Sequence, residues 1–139
     1  MENSPLSRRV IGYAIDLHRR LGPGLLESVY AHCLAKDLRR AGIPFDREVP
    51  IPVTYRGEQL DFRFRADLLI DETLIIEVKS VDRLLAVHTA QLLTYIKLAR
   101  VPEGLLMNFN AAILRHGLKR VSNSQWDKPP TPWAGNDTF

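Results

Sequence analysis

Glu77 and Lys79 stand two residues apart in the apolar run LIIEVKS. Side chains alternate faces along a strand, so this pair points one way while Ile76 and Val78 point the other, into apolar packing. A carboxylate and an ammonium in such a setting must be paired, solvated or bound to something. By itself E-x-K marks a surface ion pair more often than a site. Asp67, in the preceding strand, decides between the two. If Ile70 pairs with Leu74, leaving Asp71, Glu72 and Thr73 as the loop, Asp67 lies opposite Glu77 on one face. A two-residue loop instead sets Asp67 opposite Ile76 and sends the carboxylates to different faces. Two close carboxylates in an apolar setting repel and are costly unless a cation neutralises them. Hard, oxygen-preferring Mg²⁺ or Mn²⁺ suits them. Lys79 beside them can orient a water and stabilise negative charge on a phosphate, and the set has the parts that phosphodiester hydrolysis requires.

A third acid lies upstream. In Gly24-Leu25-Leu26-Glu27-Ser28-Val29-Tyr30, Glu27 falls in the first turn of a helix. The helix dipole favours an acid there without further function, and Tyr30 is equally a core residue, so a site role and a structural one stand level. His88, Gln91 and Tyr95 share one face of a later helix at spacings of three and four. A solvated stripe explains them, His88 above all; alternatively Gln91 and Tyr95 hydrogen-bond to Lys79, to a metal-bound water or to a substrate backbone.

The elements that must position these residues follow from periodicity. A helix starts at Ser4-Pro5, carries Val10, Ala14, Leu17 and Leu21 on one stripe, and is broken by Gly22-Pro23-Gly24. A second runs from Leu25 to Ala41, with Leu26, Tyr30, Cys33, Leu34 and Leu38 inward and Gly42 as its stop. From Arg47 the period becomes two. Val49, Ile51, Val53 and Tyr55 alternate, and Pro50 and Pro52 make this an edge strand. After the turn Arg56-Gly57-Glu58, the residues Leu60, Phe62, Phe64, Ala66, Leu68 and Ile70 alternate in a longer strand, and LIIEVKS gives a third. A helix from Arg83 to Arg100 buries Leu85, Leu92, Ile96 and Ala99. Strands Leu105–Phe109 and Ile113–Leu118 then complete the sheet. The order α-α-β-β-β-α-β-β is a mixed α/β sandwich.

Composition sets wide bounds. The chain has 139 residues, 45% hydrophobic and 25% charged, enough for one domain with a core that needs no disulfides. Cys33, the single cysteine, reads as a buried thiol, and nothing points to an oxidising compartment. MENSPLSRRV lacks an apolar core of leader length, and no stretch approaches the ~20 apolar residues of a membrane span, so a cytoplasmic location is expected. The net charge of +3 is compatible with a polyanionic partner without diagnosing one. Arg8, Arg9, Arg19, Arg20, Arg39 and Arg40 either track phosphates or are solvated helix faces, the latter reading being favoured. Residues 1–121 are expected to form one domain. Residues 122–139, with Pro129, Pro130, Pro132 and Gly135, are expected to be a flexible tail.

Taken together, the motifs resemble a named pattern. Asp67 followed by Glu77-Val78-Lys79 resembles the D-x(n)-(D/E)-x-K signature of the PD-(D/E)XK nuclease superfamily. Gln91-Leu92-Leu93-Thr94-Tyr95 is similar to the Q-x-x-x-Y motif of several of its exonuclease branches, and Gly24 to Tyr30 is similar to the signature of the GxxExxY family. The resemblance extends from Val10 to Val121. It departs at Ala66, where the superfamily's name has proline. It implies a restriction-endonuclease-like α-β-β-β-α-β core, a mixed sheet flanked by helices, and Mg²⁺-dependent (or Mn²⁺-dependent) cleavage of nucleic acid, DNA ahead of RNA. By position it implies Asp67, Glu77, Glu27 and the Val78 carbonyl as metal ligands and Lys79 as the catalytic lysine. Gln91, Tyr95 and His88 would support the site or the substrate. A chain of this size shows no separate DNA-gripping domain, which makes a homodimer, or a helicase or defence-system partner, plausible. The alternative is a catalytically inactive nuclease-fold module that binds nucleic acid or protein.

Overall fold

The computed structural model describes residues 4–126. Its elements are helices α1 (Pro5–Leu21), α2 (Glu27–Arg40) and α3 (Ala86–Ala99), and strands β1 (Phe45–Tyr55), β2 (Glu58–Ile70), β3 (Leu74–Lys79), β4 (Glu103–Asn108) and β5 (Leu118–Ser122). The five strands lie in chain order in one sheet, antiparallel except for β3 and β4. A parallel pair needs a crossover, and α3 supplies it. The result is the mixed α/β architecture expected, with β1 at the edge.

Each face of the sheet carries its own core. Val10, Ala14 and Leu17 of α1 and Tyr30, Leu34 and Leu38 of α2 cover one face, packing on Leu68, Ile70, Leu74, Ile76, Val78, Leu105 and Met107. On the other face α3 presents Leu92, Tyr95 and Ile96 to Ile51, Ala66, Ile75 and Leu106. Its close approach depends on Gly104, where a Cβ would stand 2.9 Å from Leu92 Cδ1. Among the described residues no helix is long and apolar enough to cross a membrane.

Ser4 caps α1 by accepting the Ser7 N–H at 3.1 Å, as its sequence position predicts. Several expectations need correction at element ends. Leu21, Leu26 and Leu85 end their apolar stripes in solvent, at 41%, 74% and 50% exposure, because the helices terminate or begin there and no neighbour covers them. Cys33 is only partly buried. The helix expected from Arg83 begins at Ala86.

The expected strand Ile113–Leu118 is instead a 3-10 helix at Leu114–Gly117, with the strand proper following from Leu118. Leu114 and Gly117 face inward at a spacing of three, whereas Ile113 is exposed. Any Cβ at position 117 would lie 2.5 Å from the Asn108 carbonyl oxygen. Ordered elements continue past residue 121 through Ser122 into a 3-10 turn at Asn123–Trp126. Positions 127–139 of the expected tail lie outside the described residues.

Candidate metal centre

β2 and β3 pair as the first of the two alternative registers requires, with Ile70 opposite Leu74, Leu69 opposite Ile75 and Leu68 opposite Ile76. The next step would set Asp67 against Glu77, and there the backbone ladder stops. The side chains take its place. The Asp67 N–H donates to Glu77 Oε1 at 3.0 Å, and the Val78 N–H donates to Asp67 Oδ2 at 2.7 Å. On its other edge β2 pairs Leu68 with Arg47 and Ala66 with Val49, skipping Glu48, whose φ is +53°. The alternation of β2 slips at the same point. Ala66 belongs to the α3-side core, while Leu68, two residues on, belongs to the opposite one.

Burial then governs the electrostatics. Glu77 is 6% exposed. Loss of hydration, followed by repulsion from Asp67, pushes its carboxyl up to about 8, against the opposing pull of the Asp67 N–H and of Lys79. Asp67 is raised by burial and by the charge of Glu48, with partial relief from the Val78 N–H and Lys79. Glu27 adds repulsion to both carboxylates. Among the described residues neither acid is neutralised by an ion pair. Those among the described residues join Arg20 to Asp16, Arg40 to Asp37 and Arg120 to Glu103.

The loop before α2 is what presents Glu27. Tyr30 is fully buried and stacks on Phe109 with centroids 4.6 Å apart. Its hydroxyl donates to the Gly22 carbonyl at 2.5 Å and accepts the Leu25 N–H at 3.2 Å. Ser80, just past β3, donates from Oγ to the Leu25 carbonyl at 2.6 Å. Tyr30 and Ser80 thus fasten the start of α2 to the end of the strand that carries Lys79. Glu27 itself is exposed, and the three acids do not form a closed set. Among the described residues no three His, Cys, Asp or Glu side chains group closely enough to hold an ion.

The residues of α3 divide. Tyr95 is buried and comes near both carboxylates, whose charges join burial in raising its hydroxyl pKa. Gln91 is exposed and lines the same groove as Tyr95. His88 accepts the Leu85 N–H on Nδ1 at 3.0 Å, a cap for the helix start that accounts for its position.

One residue at this end of the sheet escaped sequence reading. Asn108 is 3% exposed. It donates from Nδ2 to the Val81 carbonyl at 2.9 Å and accepts the N–H groups of Val81 and Asn110 on Oδ1 at 3.0 and 3.2 Å. It pairs with Lys79 across β3 and β4 and so holds the chain leaving the lysine. A polar residue closing the apolar strand EGLLMN was the signal available.

The donor chemistry suits a hard divalent cation. Each carboxylate spends one oxygen on an opposing N–H. Asp67 Oδ1 and Glu77 Oε2 keep no protein partner among the described residues, yet neither is a sealed orphan; Arg120 Nε is the sole such atom described. Comparison with known proteins agrees with this chemistry. Residues 4–121 match a family model described as the PD-(D/E)XK nuclease superfamily. No curated protein matches the chain, and no solved structure does.

Proposed function

Because the chain belongs to the PD-(D/E)XK nuclease superfamily, we propose that it is a Mg²⁺- or Mn²⁺-dependent phosphodiesterase that cleaves nucleic acid, DNA ahead of RNA. The observation that carries this reading is the crosswise bonding of Asp67 and Glu77. It holds two acids together with a free oxygen on each, although burial and mutual repulsion oppose their charge. Asp67, Glu77 and the Val78 carbonyl would hold the ion, with Glu27 as the further acid at the rim. A bound divalent ion supplies an activated water and a clamp on phosphate oxygens.

The chain's own residues do the rest. The Val78 N–H fixes the Asp67 carboxylate and the Asp67 N–H fixes that of Glu77, so neither has to reorganise on binding. Lys79 leaves β3 on the face of Glu77 and makes no ion pair among the described residues. It is therefore available to hold a water or a phosphate oxygen. Tyr95 closes the site from α3, Gln91 borders the substrate, and His88 sets the helix that carries both. In the finer classification we assign the chain to the GxxExxY branch, in which Tyr30 keeps Glu27 in place.

A catalytically idle nucleic-acid-binding module is the second reading, favoured by the lack of a third acid converged on the pair among the described residues. Incubation with single- and double-stranded DNA and RNA in Mg²⁺, Mn²⁺ or EDTA separates the two. Cleavage in the metals alone, lost in Asp67→Ala and Lys79→Ala, supports the nuclease. Cleavage that persists in both variants refutes this site, and binding without cleavage supports the idle module.

A further inference from the structure

The six arginines on the first two helices do not share one environment. Arg20 pairs with Asp16 at 2.9 Å and Arg40 with Asp37 at 3.9 Å, while the Arg39 guanidinium stands over the Phe45 ring, 5.4 Å from its centroid. Arg19 has no ion pair or hydrogen bond among the described residues. It borders a pocket of about 460 Å³ together with Arg115 and His116. No acidic side chain among the described residues lines this pocket. Its two walls are stitched together by His18, buried in α1, whose Nε2 donates to the Ala111 carbonyl at 2.8 Å. The helix dipole accounts for basic residues in the last turn of α1. It does not account for Arg115 and His116 meeting them from another segment. Two guanidinium groups sharing one concavity repel each other, which leaves the pocket suited to an anion.

Its place in the fold gives that anion a context. Lys79 pairs with Asn108 on β4, and the Phe109 N–H donates to the Lys79 carbonyl at 2.9 Å. The chain then passes through Ala111 directly into the pocket wall. Pocket and carboxylates therefore occupy the same end of the sheet. Arg39 and Arg40 lie at the other end, where α2 leads to Phe45, paired with Ile70 beside the start of β3.

We infer that the pocket lined by Arg19, Arg115 and His116 is a phosphate-binding subsite that grips the nucleic-acid backbone away from the scissile bond. This inference rests on the nuclease reading above.

The test uses a fluorescein-labelled DNA duplex and its single strand, titrated in EDTA over a range of NaCl, with the wild-type chain, R19E/R115E and R39E/R40E. The two double variants change net charge equally at opposite ends of the sheet. Abolishing one phosphate interaction lowers the salt slope on a duplex by about 0.9. R19E/R115E is therefore expected to reduce the slope by about 1.8 and to weaken binding at least about tenfold at roughly 0.1 M salt, with a much smaller effect in R39E/R40E. In separate assays with Mg²⁺ or Mn²⁺ in place of EDTA, hydrolysis of bis(p-nitrophenyl) phosphate, too small to span both places, stays unchanged in R19E/R115E. Equal weakening in the two variants, or none in R19E/R115E, overturns the subsite. If the wild type cleaves DNA while R19E/R115E binds normally, the subsite fails and the nuclease reading stands. If the wild type cleaves nothing while R19E/R115E still binds more weakly, the nuclease reading fails and the pocket remains a polyanion site.

Discussion

Asp67 and Glu77 hold each other through the backbone. The N–H of Asp67 reaches the Glu77 carboxylate, and the Asp67 carboxylate reaches the N–H of Val78, the residue after Glu77. Each acid is thus anchored by a hydrogen bond at the place where the strands stop pairing. A charge-assisted bond of this kind is worth roughly 1.5–3 kcal/mol, which offsets part of the cost of burying a second negative group beside the first.

Glu77→Gln tests that cost. The Glu77 carboxyl rises from its ordinary 4.5 to about 8 in the folded chain, so between those values the folded state binds more protons than the unfolded one. Stability contributed by this group is present below about pH 4.5 and is lost as pH rises towards 8. Urea melts in EDTA should show wild-type stability declining over that window by an amount on the order of 1–4 kcal/mol. The decline should be reduced in Glu77→Gln, whose amide oxygen still accepts the Asp67 N–H. Equal pH dependence in both proteins would contradict the assigned burial.

Lys79→Ala separates chemistry from metal binding. Losing a cation that relieves both carboxylates should cut the cleavage rate by about 10²–10³, the scale of a lost charge-stabilising donor. Mn²⁺ affinity, measured by calorimetry, should not weaken, because no ligand is removed. A parallel collapse of metal binding and turnover would mean that Lys79 acts on the fold.

Tyr30→Phe removes the hydroxyl that joins Gly22 to Leu25 and keeps the ring on Phe109. The loss should be about 1–2 kcal/mol, or roughly 3–8 °C in Tm. Hydrogen exchange should rise at Leu25 and Val29, whose N–H groups are bonded to the Tyr30 hydroxyl and the Leu26 carbonyl, while the sheet stays protected. Unchanged exchange in that loop would show that the hydroxyl does not hold Glu27.

How much of this was legible in the sequence depends on distance along the chain. The sequence left two registers open for the short polar loop between Ile70 and Leu74, and the structure selects the one that lets Asp67 and Glu77 meet. The slip at Asp67 was hidden, because every second residue from Leu60 to Ile70 is apolar and the change of face depends on Glu48 in a neighbouring strand. Ile113–Leu118 read as a strand because apolar residues there suit a period of two or three alike, and the approach of Gly117 to Asn108 is long-range. Tyr30 was left between core and site; the structure gives it a core ring and a hydroxyl that reaches the loop leading to Glu27. Likewise Arg19 could not be told from Arg20 until Asp16 had claimed one of them.

The most direct test of the proposed metal centre is a Mn²⁺ titration at pH 8, followed by calorimetry and by electron paramagnetic resonance, of the wild-type chain against Asp67→Asn. The amide is nearly isosteric and can still accept the Val78 N–H, so the fold is retained while a negative ligand is removed. Saturable binding by the wild type with release of protons, weakened at least about tenfold in the variant, is the predicted result. Identical isotherms for the two proteins would contradict the assignment of Asp67 and Glu77 as the metal-binding pair.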